Sequence, residues 1–150
     1  MVNVRDVFWS MVRRPQLLID YLRELNVNVD ELCRDFPANG FRCPPGEGDD
    51  FRSRFFIVSY MYLKVLNWEL RELASTGVIV EGISELISDV ITDMRLYNAP
   101  PELMNAVASI ARDILHVYRG WGEFIVYFRL RHPLVSSAAP LVHLVHWSKA

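Results

Sequence analysis

The feature that most limits what this chain can fold into is the break Asn98-Ala99-Pro100-Pro101, set between two runs of helical periodicity in residues 77–118. Pro100 disfavours helix at Ala99, and Pro101 suits the first position of a new helix, where its missing N–H would have no intrahelical partner anyway. Glu102 follows in the first turn, where the helix dipole favours a carboxylate. Before the break, Ile83, Leu86, Ile87, Val90, Ile91 and Met94 recur at three- and four-residue spacing, and after it Leu103, Val107, Ile110, Ile114 and Leu115 do the same. The spacing predicts a helical hairpin with one apolar face per arm, and such a pair is stable only when packed on further elements.

The rest of the chain can supply those elements. Its 150 residues suit one domain, and an apolar content of 51% is enough to bury a core and excludes wholesale disorder. A first helix, VRDVFWSMVRR, is expected to start at Asn3, to carry a stripe of Val4, Val7, Phe8 and Met11, and to end at Pro15. A second, PQLLIDYLRELN, begins at Pro15 and buries Leu18, Leu22 and Leu25 or their neighbours. Asn28 and Asp30 can cap the short turn VDELCRDF. Residues 37–50 hold three prolines and three glycines, which rules out a regular element there. A long helix is expected over residues 51–75, capped by Asp49 or Asp50 and stopped by Gly77, with Phe55, Tyr62, Leu66, Leu70 and Leu73 on its core face.

Past Tyr118, Gly120-Trp121-Gly122 argues for a break, and Glu123–Arg131 suits strand and helix alike. The tail from Pro133 is unusually apolar for a chain end and is expected to dock, on its own fold or on a neighbour. Trp9, Trp68, Trp121 and Trp147 are spread along the chain and are expected in the core. The fold class that emerges is all-α: a helical bundle with an N-terminal helical arm (1–36), a Pro/Gly-rich loop (37–50), a core bundle (51–118) and an apolar C-terminal extension (119–150), together one structural domain.

Charge is distributed unevenly along the chain. Net charge is −2 overall, but residues 72–116 hold two basic and seven acidic groups, while residues 117–150 hold four and one. Fourteen of the sixteen basic residues are Arg, a type suited to bidentate phosphate contacts and also favoured by GC-rich coding. Arg5, Arg13, Arg14 and Arg23 on the N-terminal helices, with Arg52 and Arg54 next, are the candidates for contact with a nucleic-acid backbone, which needs cations along a surface and no sequence code. Arg54, Lys64 and Arg71 share one side of the long helix, as a basic stripe or as an ordinary solvated face.

Signals for catalysis are poor. Asp113 and His116, and Glu85 and Asp89, are pairs at helical spacing of a kind any helical protein contains, and His143 and His146 alone do not make a metal site. Cys33 and Cys43 match no zinc pattern; they can close a short loop or stay free. No cofactor, no metal and no enzymatic activity are expected. No signal peptide is read at the N-terminus, and no run reaches the ~18 apolar residues of a bilayer span.

The hairpin also carries a resemblance. The Asn/Ala/Pro break followed by Pro101, Leu103, Met104, Asn105, Ala106, Val107 and Ile110 resembles the major coat proteins of archaeal filamentous viruses, the rod-shaped and enveloped linear-DNA viruses of hyperthermophiles. The likeness covers about residues 55–112. It implies a coat protein of the virion, assembled in the host cytoplasm. Copies of the chain, or the chain and a paralogue, would pair and wrap double-stranded DNA, held in A-form, into a helical filament without reading its sequence. In enveloped members a lipid layer lies outside, which would give the apolar tail a surface to face. The alternative reading is a small all-helical accessory subunit of a nucleic-acid-processing complex, such as a CRISPR effector small subunit or a replication factor.

Overall fold

Helix makes up 74% of the described residues, so the all-α class expected from periodicity is the class observed. The structure is a computed structural model that describes the backbone of residues 2–73 and 80–131 and the side chains of residues 3–71 and 80–117. The order is β1 (Val2–Asn3), α1 (Val4–Arg13), α2 (Pro15–Glu24), α3 (Val29–Asp35), α4 (Phe51–Leu73), β2 (Val80–Glu81), α5 (Ile83–Leu96) and α6 (Pro101–Arg131).

Each helix boundary has a local chemical cause. Asn3 caps α1, its Oδ1 accepting from the N–H groups of Arg5 at 3.0 Å and Asp6 at 3.2 Å. Asn28 caps α3 in the same way, accepting from Glu31 N at 3.2 Å. Arg14 ends α1 and Pro15 opens α2 at its first position. Two helices end in matching Schellman turns with asparagine in the left-handed region. After α2, Asn26 has φ 59°, with Asn26 N donating to Arg23 O and Val27 N to Leu22 O. After α5, Asn98 has φ 53°, with Asn98 N donating to Arg95 O and Ala99 N to Met94 O. The Asn-Ala-Pro-Pro break is therefore a complete stop and restart.

β1 and β2 pair in parallel, Val2 with Val80 and Asn3 with Glu81, so α1 and α5 leave one small bridge side by side. Gly82, with φ 82°, sits where a Cβ would come within 2.6 Å of Asn3 Oδ1. At the opposite end, Phe51 and Tyr97 rings lie 5.5 Å apart, so α4 and α6 start together and run in the same direction.

Helix α4 is the axis of the bundle. Every residue from Phe55 to Leu63 is buried, Ser59 included, as are Val65, Leu66 and Leu70. A single core face was expected, with the opposite side solvated. From Phe55 to Leu63 the helix is instead covered all round, because Phe56, Ile57, Val58 and Met61 are also apolar and the α3 region covers the side away from α1. There Phe36 and Phe41 meet Tyr60 and Phe56 edge-on at 5.5 Å each. On the other side, Phe8 meets Phe55 edge-on at 6.0 Å and Trp9 stacks on it at 5.8 Å. Removing a fully buried ring such as Phe55 would cost about 3–5 kcal/mol.

Val4, Val7, Phe8 and Met11 all lie in the core, so the N-terminal helices are part of the packed body. Leu86, Val90, Met94, Leu103, Val107 and Ile114 are buried as the hairpin pattern requires. The break expected at Gly120-Trp121-Gly122 is absent: α6 runs through it and takes residues 123–131 as helix. Its apolar spacing continues past the two glycines, and a glycine inside a helix costs only about 1 kcal/mol relative to alanine. Cys33 and Cys43 are disulfide-bonded, with Cα atoms 5.6 Å apart, which ties α3 to the Pro/Gly-rich loop. Asp49, a cap candidate for α4, instead accepts from Gly46 N at 2.8 Å and closes a turn. Gly77 and the tail 132–150, with His143, His146 and Trp147, lie outside the described residues.

Candidate nucleic-acid interface

The six arginines singled out from the sequence divide into two groups. Three are committed to the protein itself. Arg5 Nε donates to Asp89 Oδ2 at 2.7 Å and its NH2 group to Oδ1 at 3.2 Å, a two-pronged contact between α1 and α5. The hydrogen bond and charge of Asp89 raise the already high pKa of Arg5. Arg52 donates from Nε to Tyr97 O at 2.8 Å and from NH2 to Asn98 O at 3.0 Å, while its guanidinium lies 4.7 Å over the Phe56 ring. It thereby clamps the Schellman turn that ends α5, whose last carbonyls have no intrahelical partner. Arg54, half-buried, donates to Glu47 O at 3.1 Å.

The other three face solvent. Among the described residues, the Arg13 side chain reaches only Ser10 Oγ, at 3.3 Å on its own helix. Arg14 lies 3.9 Å from Glu47 Oε1, with both side chains more than 60% exposed, a pair worth at most about 1 kcal/mol. Arg23 is exposed, and its side chain makes no ion pair or hydrogen bond among the described residues. Arg13 and Arg14 stand at the α1–α2 corner, near the Pro/Gly-rich loop, and Arg23 stands at the far end of α2. Arg42, also on that loop, is 76% exposed and pairs loosely with Asp49 at 3.7 Å.

The expected stripe on α4 does not act as one unit. Arg54 is held by Glu47. Lys64 donates to Tyr60 Oη at 3.1 Å and lies 3.6 Å from Asp35. Partial burial works against the Lys64 ammonium, but its bonds to Tyr60 and Asp35 prevail and raise its pKa. Of the three, Arg71 alone is freely exposed.

No signal in the sequence marked Arg52 as a clamp rather than a free cation. A guanidinium one turn from Phe56 on an amphipathic helix reads as surface, and its carbonyl partners are some 45 residues away. The pairing of Arg5 with Asp89 spans a still wider gap of 84 residues and was equally hidden.

Other polar groups in the bundle serve packing. The Tyr21 and Tyr62 hydroxyls are raised well above the ordinary tyrosine pKa, mainly by burial and secondarily by charged neighbours, so both stay protonated across the physiological range. Asp113 and His116 on α6, and Glu85 on α5, are exposed, and no hydrogen bond or ion pair joins them. Among the described residues, no three His, Cys, Asp or Glu side chains gather as a metal site, and no helix is long and apolar enough to cross a membrane.

Fold and surface together define an all-α bundle with an arginine-bearing helical corner. No family model matches the chain, and neither does any curated protein or solved structure.

Proposed function

We propose that this chain is a structural nucleoprotein: a helical coat subunit that binds linear double-stranded DNA without sequence preference and polymerises on it as a filament. The observation that carries the reading is the exposure of Arg13, Arg14 and Arg23 along the α1–α2 hairpin, while Arg5, Arg52 and Arg54 hold the bundle together. Phosphate contact needs guanidinium groups free to meet an anion, and only the first set is free. The resemblance of the 98–110 segment to archaeal filamentous-virus coat proteins supports the same reading.

Under this proposal the DNA-contacting set narrows to Arg13, Arg14 and Arg23, with Arg42 added. The acidic α5–α6 hairpin faces other protein, either a second copy or a paralogue. The chain performs no catalysis, and its place is the virion, after assembly in the host cytoplasm. A-form DNA and contact with an envelope follow from the same resemblance.

Electron microscopy of purified protein mixed with linear duplex DNA tests the proposal. Filaments of constant diameter whose length follows that of the DNA are expected. Absence of filaments at low salt would sink the coat reading. Co-purification with one large partner at fixed stoichiometry, without filaments, would instead favour the accessory-subunit reading.

A further inference from the structure

Trp68 is 55% exposed on α4, although its neighbours Val65, Leu66 and Leu70 are buried. The sequence placed it in the core; the structure places it at the meeting point of two depressions. One, of about 350 Å³, runs from Leu25 and Val27 past Leu32 to Trp68, with Glu31, Asp35 and Lys64 on its rim. The other, of about 460 Å³, is bounded by Leu25, Val27 and Trp68, with Glu69 and Arg71 on its rim. Leu25, Val27 and Trp68 belong to both, so the two form one apolar groove between the α2–α3 turn and α4. A large aromatic ring left open beside two aliphatic side chains is the kind of surface that marks a contact site.

We propose that this groove is filled by the chain's own C-terminal segment Leu141–Trp147, LVHLVHW. The inference does not depend on nucleic-acid binding. Its first support is direction. Helices α4 and α6 start side by side, where Arg52 meets Tyr97, and run the same way. The 23 residues of α4 extend about 34 Å and the 31 of α6 about 46 Å, so α6 ends beyond α4, at the end of the bundle where Trp68 lies. Its end stands about 20 Å past the level of Trp68.

The second support is reach. Nine residues, 132–140, separate Arg131 from Leu141 and can span about 30 Å. A segment tethered at that length is present at an effective concentration in the millimolar range, which favours the chain's own tail over a free copy's. The third support is chemistry. Among the described residues, the groove rim carries three carboxylates, Glu31, Asp35 and Glu69, against two cations, Lys64 and Arg71. Residues 132–150 contain no acidic residue and carry His132, His143, His146 and Lys149.

Two measurements on the full chain test the proposal. In the first, Trp68→p-benzoyl-L-phenylalanine is irradiated and the products are mapped by mass spectrometry. A cross-link to the peptide holding residues 141–147, in a species of monomer mass, is expected. No cross-link to that peptide, or one found only at dimer mass, would overturn the proposal. In the second, hydroxyl-radical oxidation of Trp68 is compared between the native chain and the variant L141D/V145D, with Trp9 as internal standard. Oxidation of Trp68 at least threefold faster in the variant, with Trp9 unchanged, is expected. Equal rates at Trp68 would overturn the proposal, and if Trp9 also rises, the cross-link decides.

Discussion

Asp89 Oδ2 accepts two hydrogen bonds at once, from Arg5 Nε at 2.7 Å and from Trp9 Nε1 at 3.0 Å. This carboxylate joins α5 to α1 about two turns along α5 from the bridge at which both helices start. Its side chain is 20% exposed and that of Arg5 48%, so the two are not equivalent. Removing Asp89 strands the Trp9 N–H and one face of the guanidinium; removing Arg5 leaves Asp89 its tryptophan partner and access to water. Asp89→Ala is expected to cost about 1–3 kcal/mol and Arg5→Ala distinctly less, measured by urea unfolding. Equal costs would show that the Trp9 bond contributes little.

The neighbouring backbone should be intolerant of small changes. Gly82→Ala forces a positive φ on alanine and drives its Cβ against Asn3 Oδ1, the cap of α1, at an expected cost of about 2–3 kcal/mol. Gly48→Ala, with nothing within 4 Å, should stay within about 0.5 kcal/mol of the native chain. At the other end of α5, Asn98→Gly should be nearly neutral and Asn98→Ala should cost about 1 kcal/mol, because only the left-handed region satisfies the Schellman turn. Thermal denaturation of the four variants is a direct comparison.

Asp93 introduces a pH dependence of known sign. Burial first, and the nearby charge of Asp89 second, raise its carboxyl above the ordinary 3.8. The folded chain therefore binds this proton more tightly than the unfolded chain does. The resulting penalty is absent below 3.8, grows as pH rises through the folded value, and is complete above it. Solvent screens the charge at this partly exposed position, so Asp93→Asn is expected to stabilise the protein at pH 7 by at most about 0.5 kcal/mol. That gain should fade as pH drops toward 3.8. A gain that grew on acidification would contradict the assignment.

The Cys33–Cys43 bond closes a loop of ten residues' separation that presses Phe41 onto Phe56. Loop-closure entropy puts its contribution at about 2.5–3 kcal/mol. The double variant C33S/C43S should lower the urea midpoint accordingly and make residues 37–50 the first site of limited proteolysis. Cleavage first within α1 or α2 would contradict the view that those helices belong to the core.

Local chemistry and the core face of each amphipathic helix were legible in the sequence; the second buried side of α4 and long-range pairing were not. Asn3, Pro15, Asn28 and the Asn98–Pro101 break act through neighbours within five residues, so their roles could be read directly. The apolar positions of the hairpin showed its core faces for the same reason. The all-round burial of Phe55–Leu63 in α4 was hidden because its second apolar side faces α3 and the 37–50 loop, a packing that periodicity within one helix does not reveal. The same limit applies to the candidate site. That arginines were available was visible, but Arg5 and Arg52 are fixed by Asp89 and by the Tyr97 and Asn98 carbonyls, partners far along the chain. Gly120 and Gly122 misled in the opposite direction, since a glycine weakens a helix without ending it.

Salt dependence of duplex binding tests the central claim most directly. The native chain, the triple variant R13A/R14A/R23A and the single variant R5A are each titrated with linear double-stranded DNA at several salt concentrations. The native chain should bind at low salt and weaken steeply as salt rises. The triple variant should bind more weakly, with a slope of log affinity against log salt shallower by about 2–3, and R5A should keep the native slope. No binding at low salt, or a slope reduced in R5A but not in the triple variant, would contradict the account.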